Sequence, residues 1–247
     1  MNISIQNMVG FYNATGRAGH VQHVENEHFG AITEAEGFWP QLIYRFGFNN
    51  NPEQNIAQAM GALAKGESRM NAICSAQQLA DFDVEKLRSA HVFPIEMWET
   101  MQTKTFLFIG SDDELYKFRQ LSTNEELAAF TSLVNTDMMR NLKIRDNFFT
   151  TLAKESGFKF YGLFAENELV SALLVFTENG VGGLYFIVSK TAWRMKGLAG
   201  NLIRKTLARM FENGTENVVL QAVNKAIPLY SRIGFQSTGK LVILMKY

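Results

Sequence analysis

The sequence predicts an α/β (α+β) fold with a mixed, mostly antiparallel central sheet flanked by helices, preceded by a second, smaller α/β domain. Apolar segments of strand length, rich in branched and aromatic residues, recur along the whole chain of 247 residues. In the second half three of them follow one another with short polar connections, as in an antiparallel meander. Amphipathic helical segments precede and follow this meander, so they can cover its faces.

Size and charge limit the possible partners. A chain of 247 residues has room for two domains of roughly 100 to 150 residues each. Apolar residues make up 47% and charged residues 19%, which is ordinary for a protein with a packed core. The 24 basic and 24 acidic residues cancel, so no net field attracts nucleic acid or an anionic membrane. We expect neither as a partner, and the oligomeric state stays unknown at this point.

Cysteine usage and the N-terminus predict a cytoplasmic location. Cys74 is the only cysteine, which excludes an intrachain disulfide and fits a reducing compartment. Because Cys74 lies outside the motifs described below, it is interpreted as a small buried hydrophobic residue. The first 20 residues lack a basic segment followed by an apolar run, and no run of about 18 apolar residues occurs anywhere.

The predicted domain boundary lies in a polar break over residues 110–114, which gives domains 1–112 and 113–247. In the first domain, residues 38–46 predict a strand and residues 52–64 a helix that opens with Pro52. This order is similar to part of the second domain, so a degenerate duplicate and an unrelated α/β domain both stay open.

The second domain has the clearer signals. Residues 122–126 predict the capped start of a helix that reaches residue 136, between a strand and a second helix. Its predicted order is β-α-α-β-β-β-α-β-α-β, over residues 116–121, 122–136, 145–155, 158–165, 169–177, 183–189, 197–212, 217–223, 226–233 and 241–246.

A short cationic loop precedes the longest helix of this domain. Arg194, Gly197 and Ala199 have the spacing R-x-x-G-x-A, and the helix that follows exposes unpaired amide N–H groups at its start. Small residues let an anion approach this backbone, and Arg194 and Lys196 add cationic donors. Taken alone, the pattern also fits a glycine turn with solvated charges or a dinucleotide-binding loop.

A second motif follows the next strand and narrows these alternatives. It comprises Asn224, Leu229-Tyr230 and Gly234-Phe235. The two motifs together resemble the GNAT superfamily of acyl-CoA-dependent N-acyltransferases, over residues 116–247. Two positions depart from the usual pattern, since Ala199 replaces a glycine and Thr191 stands where many relatives have proline.

The resemblance implies that acetyl-CoA, or coenzyme A after transfer, occupies this region as co-substrate. Backbone amides of the loop would hold its pyrophosphate, and a strand edge would pair with its pantetheine arm. Asn224 would bond the same arm, and Tyr230 would be the general acid. The implied cofactor-binding residues are Val188, Ser189, Lys190, Arg194, Met195, Lys196, Gly197, Leu198, Ala199, Gly200 and Asn224. Simpler interpretations stay open: Tyr230 as core, Asn224 as a helix cap, and Lys190 and Lys196 as solvated charges.

The expected activity is transfer of an acetyl or other acyl group to an amine of a small molecule or an amino acid. No activated nucleophile is recognisable in the second domain, so we expect direct attack in a ternary complex. Glu178, at a strand end, is a candidate base, and a chain of water molecules is the alternative. A non-catalytic acyl-CoA sensor on the same fold is the second hypothesis.

Three histidines raise the question of a metal site. We expect a helix over residues 19–29, on which His20 and His23 lie on neighbouring faces and His28 lies roughly 140° round from His23. No cysteine lies near them to complete a ligand set. The sequence therefore predicts no metal.

Overall fold

The computed structural model describes residues 2–18, 21–27, 29–35, 37–46, 71–80, 84–89, 91–105 and 115–246. The helix predicted at residues 52–64 and the polar break at 110–114 lie outside the described residues. The predicted boundary between residues 112 and 113 therefore stays a prediction.

The elements of the first half are mostly short. They are α1 (Ile3–Arg17), β1 (Gln22–Glu25), β2 (Phe29–Thr33), β3 (Gln41–Phe46), β4 (Asn71–Ser75), α2 (Ala76–Ala80), α3 (Val84–Ser89) and β5 (Val92–Thr103). The helix predicted over residues 19–29 is wrong, because residues 22–25 form a strand that pairs antiparallel with β2. Pairing with a neighbouring strand outweighs the weak local preference of such a short segment.

The elements of the second half follow the predicted order. They are β6 (Lys117–Leu121), α4 (Asn124–Asp137), α5 (Phe148–Leu152), β7 (Phe158–Ala165), β8 (Glu168–Glu178), β9 (Val181–Ser189), α6 (Leu198–Glu212), β10 (Asn217–Val223), α7 (Ile227–Ile233) and β11 (Gln236–Lys246). Short 3₁₀ turns cover Thr191–Trp193 and Asn224–Ala226. The predicted start of α4 is confirmed, because Thr123 and Glu126 form a reciprocal capping box.

Strands from both halves form one sheet. Its order is β1-β2-β3-β4-β11-β5-β10-β9-β8-β7-β6, so the last strand of the chain lies between two strands of the first half. Neighbouring strands are antiparallel except for β3 with β4 and β9 with β10. The predicted fold class, a mixed and mostly antiparallel sheet with flanking helices, is confirmed.

The sheet curves around α1. This helix contacts β1, β2 and β3 near one edge and also β8, β9 and β10 towards the other. The Asn7 amide donates to the Val181 carbonyl at 3.1 Å, and the Tyr12 ring stacks on Tyr44 of β3 at 5.2 Å. The approach is close, because a Cβ atom at Gly183 of β9 would lie 2.0 Å from Asn7 Oδ1. The first half therefore covers one face of β9 and β10.

Helices cover both faces of the sheet. On the face of α1, a cluster of buried aromatic and aliphatic residues includes Phe11, Phe130, Phe149 and Phe160. On the opposite face, α6 and α7 bury Leu202, Ile203, Leu207 and Ile233 against the strands. Burying one such side chain contributes roughly 1.5–3 kcal/mol. The two layers fix where the ends of β9 and β10 lie relative to α6 and α7.

Candidate functional site

A cleft opens between β9 and β10. These parallel strands pair only where Asn217–Val219 meet Val181–Gly183. Both strands are fully described, and beyond those residues each pairs only with its outer neighbour, β8 or β5. The two inner edges therefore present backbone N–H and C=O groups to the cleft, where an extended ligand with amide groups can pair with them.

A β-bulge bends β9 beside this cleft. The register between β8 and β9 shifts between Ala172 and Leu174, and Phe186 adopts a positive φ of 49°. A phenylalanine rarely has this conformation, and bulges bend a strand and re-aim its groups. Sequence reasoning missed the bulge, because a run of apolar residues carries no signal for one extra residue in one strand.

Helix α6 begins at the open end of the cleft without a side-chain cap. Gly197 precedes it with φ 76°, in the left-handed region that favours glycine. The first amide bonded to a carbonyl of this turn is that of Asn201, which donates to Gly197 at 3.0 Å. The amides of Leu198, Ala199 and Gly200 come before it and have no acceptor within the helix. This helix start fits an anion such as a pyrophosphate.

The predicted cations of the loop have protein partners. The Arg194 guanidinium donates to the carbonyls of Asp137, at 2.7 Å, and Ser189, at 3.3 Å. Lys190 pairs with Glu168 at 2.5 Å, and the Lys196 ammonium lies 4.5 Å from the centre of the Trp193 ring. Met195, between them, is fully exposed. The backbone amides are therefore the donors that this loop most clearly leaves free.

The strand that leads into the loop ends on the edge of the cleft. Val188 is buried, and its carbonyl accepts from the Ser171 hydroxyl at 2.9 Å. The Ser189 and Ser171 hydroxyls lie 2.8 Å apart, and the Lys190 amide donates to Val170 at 3.0 Å. These contacts fasten the end of β9 to β8 and leave its other edge facing the cleft.

Asn224 and Tyr230 lie across the cleft from this loop. Asn224 is exposed and directly follows β10, and Tyr230 lies on α7, which contacts α6. The Tyr230 side chain is 8% exposed and packs edge-on against Phe235 at 6.1 Å. Burial raises the pKa of Tyr230 to about 12, so its hydroxyl stays protonated and can donate a hydrogen bond.

Glu178 lies at the other end of β9. It pairs with Val181, the first residue of that strand, whereas the loop follows Ser189. Eight residues of strand separate these positions, which corresponds to about 26 Å. Its carboxylate packs against α1, where a Cβ atom at Gly10 would lie 2.2 Å from it. The structure therefore places Glu178 far from the loop that precedes α6.

Neither Cys74 nor His23 forms a second reactive site. Burial raises the pKa of the Cys74 thiol to about 12, which keeps it from being a nucleophile. His23 Nε2 lies 2.9 Å from the Tyr44 hydroxyl. Among the described residues, no group of three or more metal-ligating side chains occurs, and His20 and His28 are not described. None of the described helices is long and apolar enough to cross a membrane.

Solved structures with the same fold extend over both halves of the chain. A GCN5-related N-acetyltransferase from Kribbella flavida is 13% identical, with a TM-score of 0.71 over 100% of this chain and 96% of that one. A conserved protein of unknown function from Staphylococcus epidermidis is 12% identical, with a TM-score of 0.64 over 96% of this chain and 98% of its own. A GCN5-related N-acetyltransferase from Sphaerobacter thermophilus is 13% identical, with a TM-score of 0.62 over 90% and 81%. These likenesses show the fold alone.

Sequence comparison gives the family. No curated protein matches the chain. The family model of the acetyltransferase (GNAT) domain matches residues 118–243, just over half of the chain, and this range includes the loop, the cleft and Tyr230. The resemblance noted from the two motifs is thereby confirmed, and the protein belongs to the GNAT acetyltransferase family.

Proposed function

We propose that the chain binds acetyl-CoA, or another short acyl-CoA, between β9 and β10 and transfers the acyl group to an amine of a small molecule or an amino acid. One observation carries this proposal. Two parallel strands part after three paired residues, and the uncapped start of α6 lies where they open. A phosphate group and an extended amide chain on one ligand match these two features.

Each part of the ligand has a counterpart in the chain. The amides from Met195 to Gly200 would hold the pyrophosphate, because they include the unpaired start of α6. The free edge of β9, up to Val188, Ser189 and Lys190, would pair with the pantetheine amides. Asn224, exposed at the end of β10, would bond the same arm. The proposed chemistry uses no metal.

The proposed reaction is a direct attack of the amine on the thioester. A C–N bond forms at the carbonyl carbon, the C–S bond breaks, and the amine loses a proton. Because the pKa of Tyr230 is about 12, full transfer of its proton to a thiolate whose acid has a pKa of about 8.5 would be uphill by roughly 5 kcal/mol. Tyr230 therefore acts as a hydrogen-bond donor to the sulfur, and the proton lost by the amine neutralises the thiolate.

The first half of the chain supplies the opposite wall. The Trp39 ring lies edge-on to Phe186, at the bulge of β9, with the ring centres 5.0 Å apart. On this face α1 also covers the strands, so we place the amine acceptor between the first half and the bulge. On its way to the thiolate, the amine proton would be accepted by Glu178 or by a chain of water molecules, the two alternatives left open by the sequence. The cytoplasmic location predicted from the single cysteine stays a prediction, and so does the exclusion of nucleic acid and membrane partners from the balanced charge.

The alternative function is a sensor that binds acyl-CoA without turnover. The position of Glu178 favours it, because this candidate base lies at the opposite end of β9 from the loop. An acceptor screen distinguishes the two functions: purified protein is mixed with acetyl-CoA and a panel of amines, and released thiol is measured. Turnover with an acceptor supports the enzyme. Calorimetric binding of acetyl-CoA without turnover supports the sensor, and absence of binding contradicts both.

A further inference from the structure

The cationic loop before α6 is attached to the C-terminal end of α4 at two points. The Thr191 amide donates to Asp137 Oδ1 at 2.7 Å. The Arg194 guanidinium donates to the backbone carbonyl of the same aspartate, also at 2.7 Å. Asp137 is the last residue of α4, so one residue holds both the start and the middle of the loop.

The second contact, from the Arg194 guanidinium to the Asp137 carbonyl, stabilises the C-terminal end of α4. The last carbonyls of a helix lack intrahelical donors and are stabilised by a cation. Helix α4 ends at Asp137, so no amide one turn further along the helix donates to the Asp137 carbonyl. Helix α4 has no basic residue in its last turn, and Arg194 supplies the missing cation from a distant part of the chain. This role accounts for Arg194 without a direct bond to a phosphate.

The first contact places a negative charge beside a loop that is expected to bind an anion. On charge alone, Asp137 would weaken the binding of a pyrophosphate. Its carboxylate is tied to the Thr191 amide, at the first residue of the 3₁₀ turn that leads to Arg194 and Gly197. Loss of the bond to Thr191 should therefore weaken pyrophosphate binding, whereas loss of the negative charge should strengthen it. Removal of Asp137 distinguishes the two effects.

We propose that Asp137 is a positioning residue for coenzyme A binding. It holds residues 191–197 in the shape in which the amides from Met195 to Gly200 face the pyrophosphate. Arg194 braces the same loop rather than contacting the phosphates. This inference rests on the proposed coenzyme A site, and it assigns a role in that site to a residue of α4, outside the loop itself.

The test is calorimetric titration of coenzyme A into the wild type, Asp137→Ala and Asp137→Asn, with Asp146→Ala as the matched control. Asp146 is exposed and close in sequence to α4. Asp137→Ala should weaken binding about tenfold or more, because the loop loses a charge-assisted hydrogen bond that orients it. Asp137→Asn keeps an oxygen that can accept from Thr191 and should stay within about threefold of the wild type. All melting temperatures should stay within a few degrees.

A double variant shows whether the loss of affinity in Asp137→Ala comes from the loop or from reduced stability of the variant. Lys190 has ψ 135°, which suits a following proline, and Thr191 is the first residue of its turn. Proline at 191 fixes the backbone without needing the N–H group. Asp137→Ala/Thr191→Pro should therefore recover most of the lost affinity, because the alanine also leaves room for the proline ring where the Asp137 carboxylate lies in the wild type.

Three results would overturn the proposal. Asp137→Ala that binds as tightly as the wild type, or more tightly, would show that the bond from Asp137 to Thr191 does not support binding. Equal losses in the Ala and Asn variants, or failure of the proline variant to recover affinity, would exclude positioning through Thr191. If the wild type itself does not bind coenzyme A, the proposed function fails first, and this inference fails with it.

Discussion

The guanidinium of Arg145 donates to both carboxylate oxygens of Glu34, at 3.0 and 3.3 Å, across 111 residues of sequence. Glu34 follows β2 in the first half, and Arg145 lies in the connection between α4 and α5. Beside this pair, the Trp39 amide donates to the Lys143 carbonyl, and the Lys143 amide donates to Gly37, each at 2.9 Å. The first half therefore binds the connection that follows Asp137.

Removing this ion pair should destabilise the fold. The Glu34 side chain is only 8% exposed, so Glu34→Gln leaves Arg145 facing a neutral amide. We expect a loss of about 1–2 kcal/mol, a value lowered because Arg145 is half exposed. The melting temperature should fall by a few degrees in calorimetry. Glu155→Gln, at an exposed position, is the control and should leave it unchanged, and equal melting temperatures for both variants would contradict the role of the pair.

A negative charge at the start of α6 should weaken ligand binding without weakening the helix. Ala199→Glu places a carboxylate in the first helical turn, where it stabilises the helix by about 0.3–1 kcal/mol. The same charge repels a pyrophosphate at the amides of Leu198 and Gly200. Coenzyme A affinity should fall by about 10²-fold or more while the melting temperature stays constant or rises.

The matched control for this change is Ala199→Gln, which has the same size without the charge. Glutamine should reduce affinity less than glutamate, and the difference should shrink as salt concentration rises. Equal affinity of the glutamate variant and the wild type in calorimetry would place the phosphates elsewhere.

Tyr230→Phe removes the proposed donor to the sulfur. Negative charge develops on sulfur only as the C–S bond breaks, so the contact acts on the transition state more than on bound acetyl-CoA. We expect kcat to fall by about 10²-fold, with nearly unchanged coenzyme A affinity and a melting temperature within a few degrees. Unchanged turnover would identify Tyr230 as a core residue, and weakened binding would give its hydroxyl a role in the ground state.

Protonation of His23 should lower the stability of the protein. Burial lowers the pKa of His23 below its ordinary value of 6.5, a shift that the nearby Glu25 opposes and Arg17 reinforces. The unfolded chain therefore binds this proton more readily than the folded one. The stability that depends on a neutral His23 is fully present above about pH 6.5, and it is lost as pH falls from there through the pKa of His23 in the folded protein.

Denaturant unfolding at pH 8, 6.5 and 5 measures this effect. The free energy of unfolding should fall more between pH 6.5 and 5 in the wild type than in His23→Gln, which cannot titrate. Parallel decreases in both proteins would assign the acid sensitivity to other groups.

Some parts of the fold were predictable because local signals and packing agree. Residues 217–223 form β10 as predicted, and the capped start of α4 lies where Thr123 and Glu126 indicated it. The cationic loop was predictable because Gly197 needs a left-handed backbone at a strand-to-helix turn. These features depend on a few consecutive residues.

Other parts depend on contacts between distant residues, which one sequence does not reveal. Residues 22–25 were predicted as helix, yet they form a strand by pairing with β2. The guanidinium of Arg194 is engaged with Asp137, 57 residues away, although its position in the motif suggested a free cation. The bulge at Phe186 and the continuous sheet shared by both halves likewise arise from strand pairing rather than from local preference.

A crystal structure of the protein with coenzyme A tests the central claim most directly. The account predicts pyrophosphate oxygens within hydrogen-bonding distance of amides in the segment from Met195 to Gly200, and pantetheine amides paired with the free edge of β9. The Asp137 carboxylate should still accept the Thr191 amide. Coenzyme A bound away from the cleft between β9 and β10, or absent from crystals grown at saturating concentration, would contradict the account.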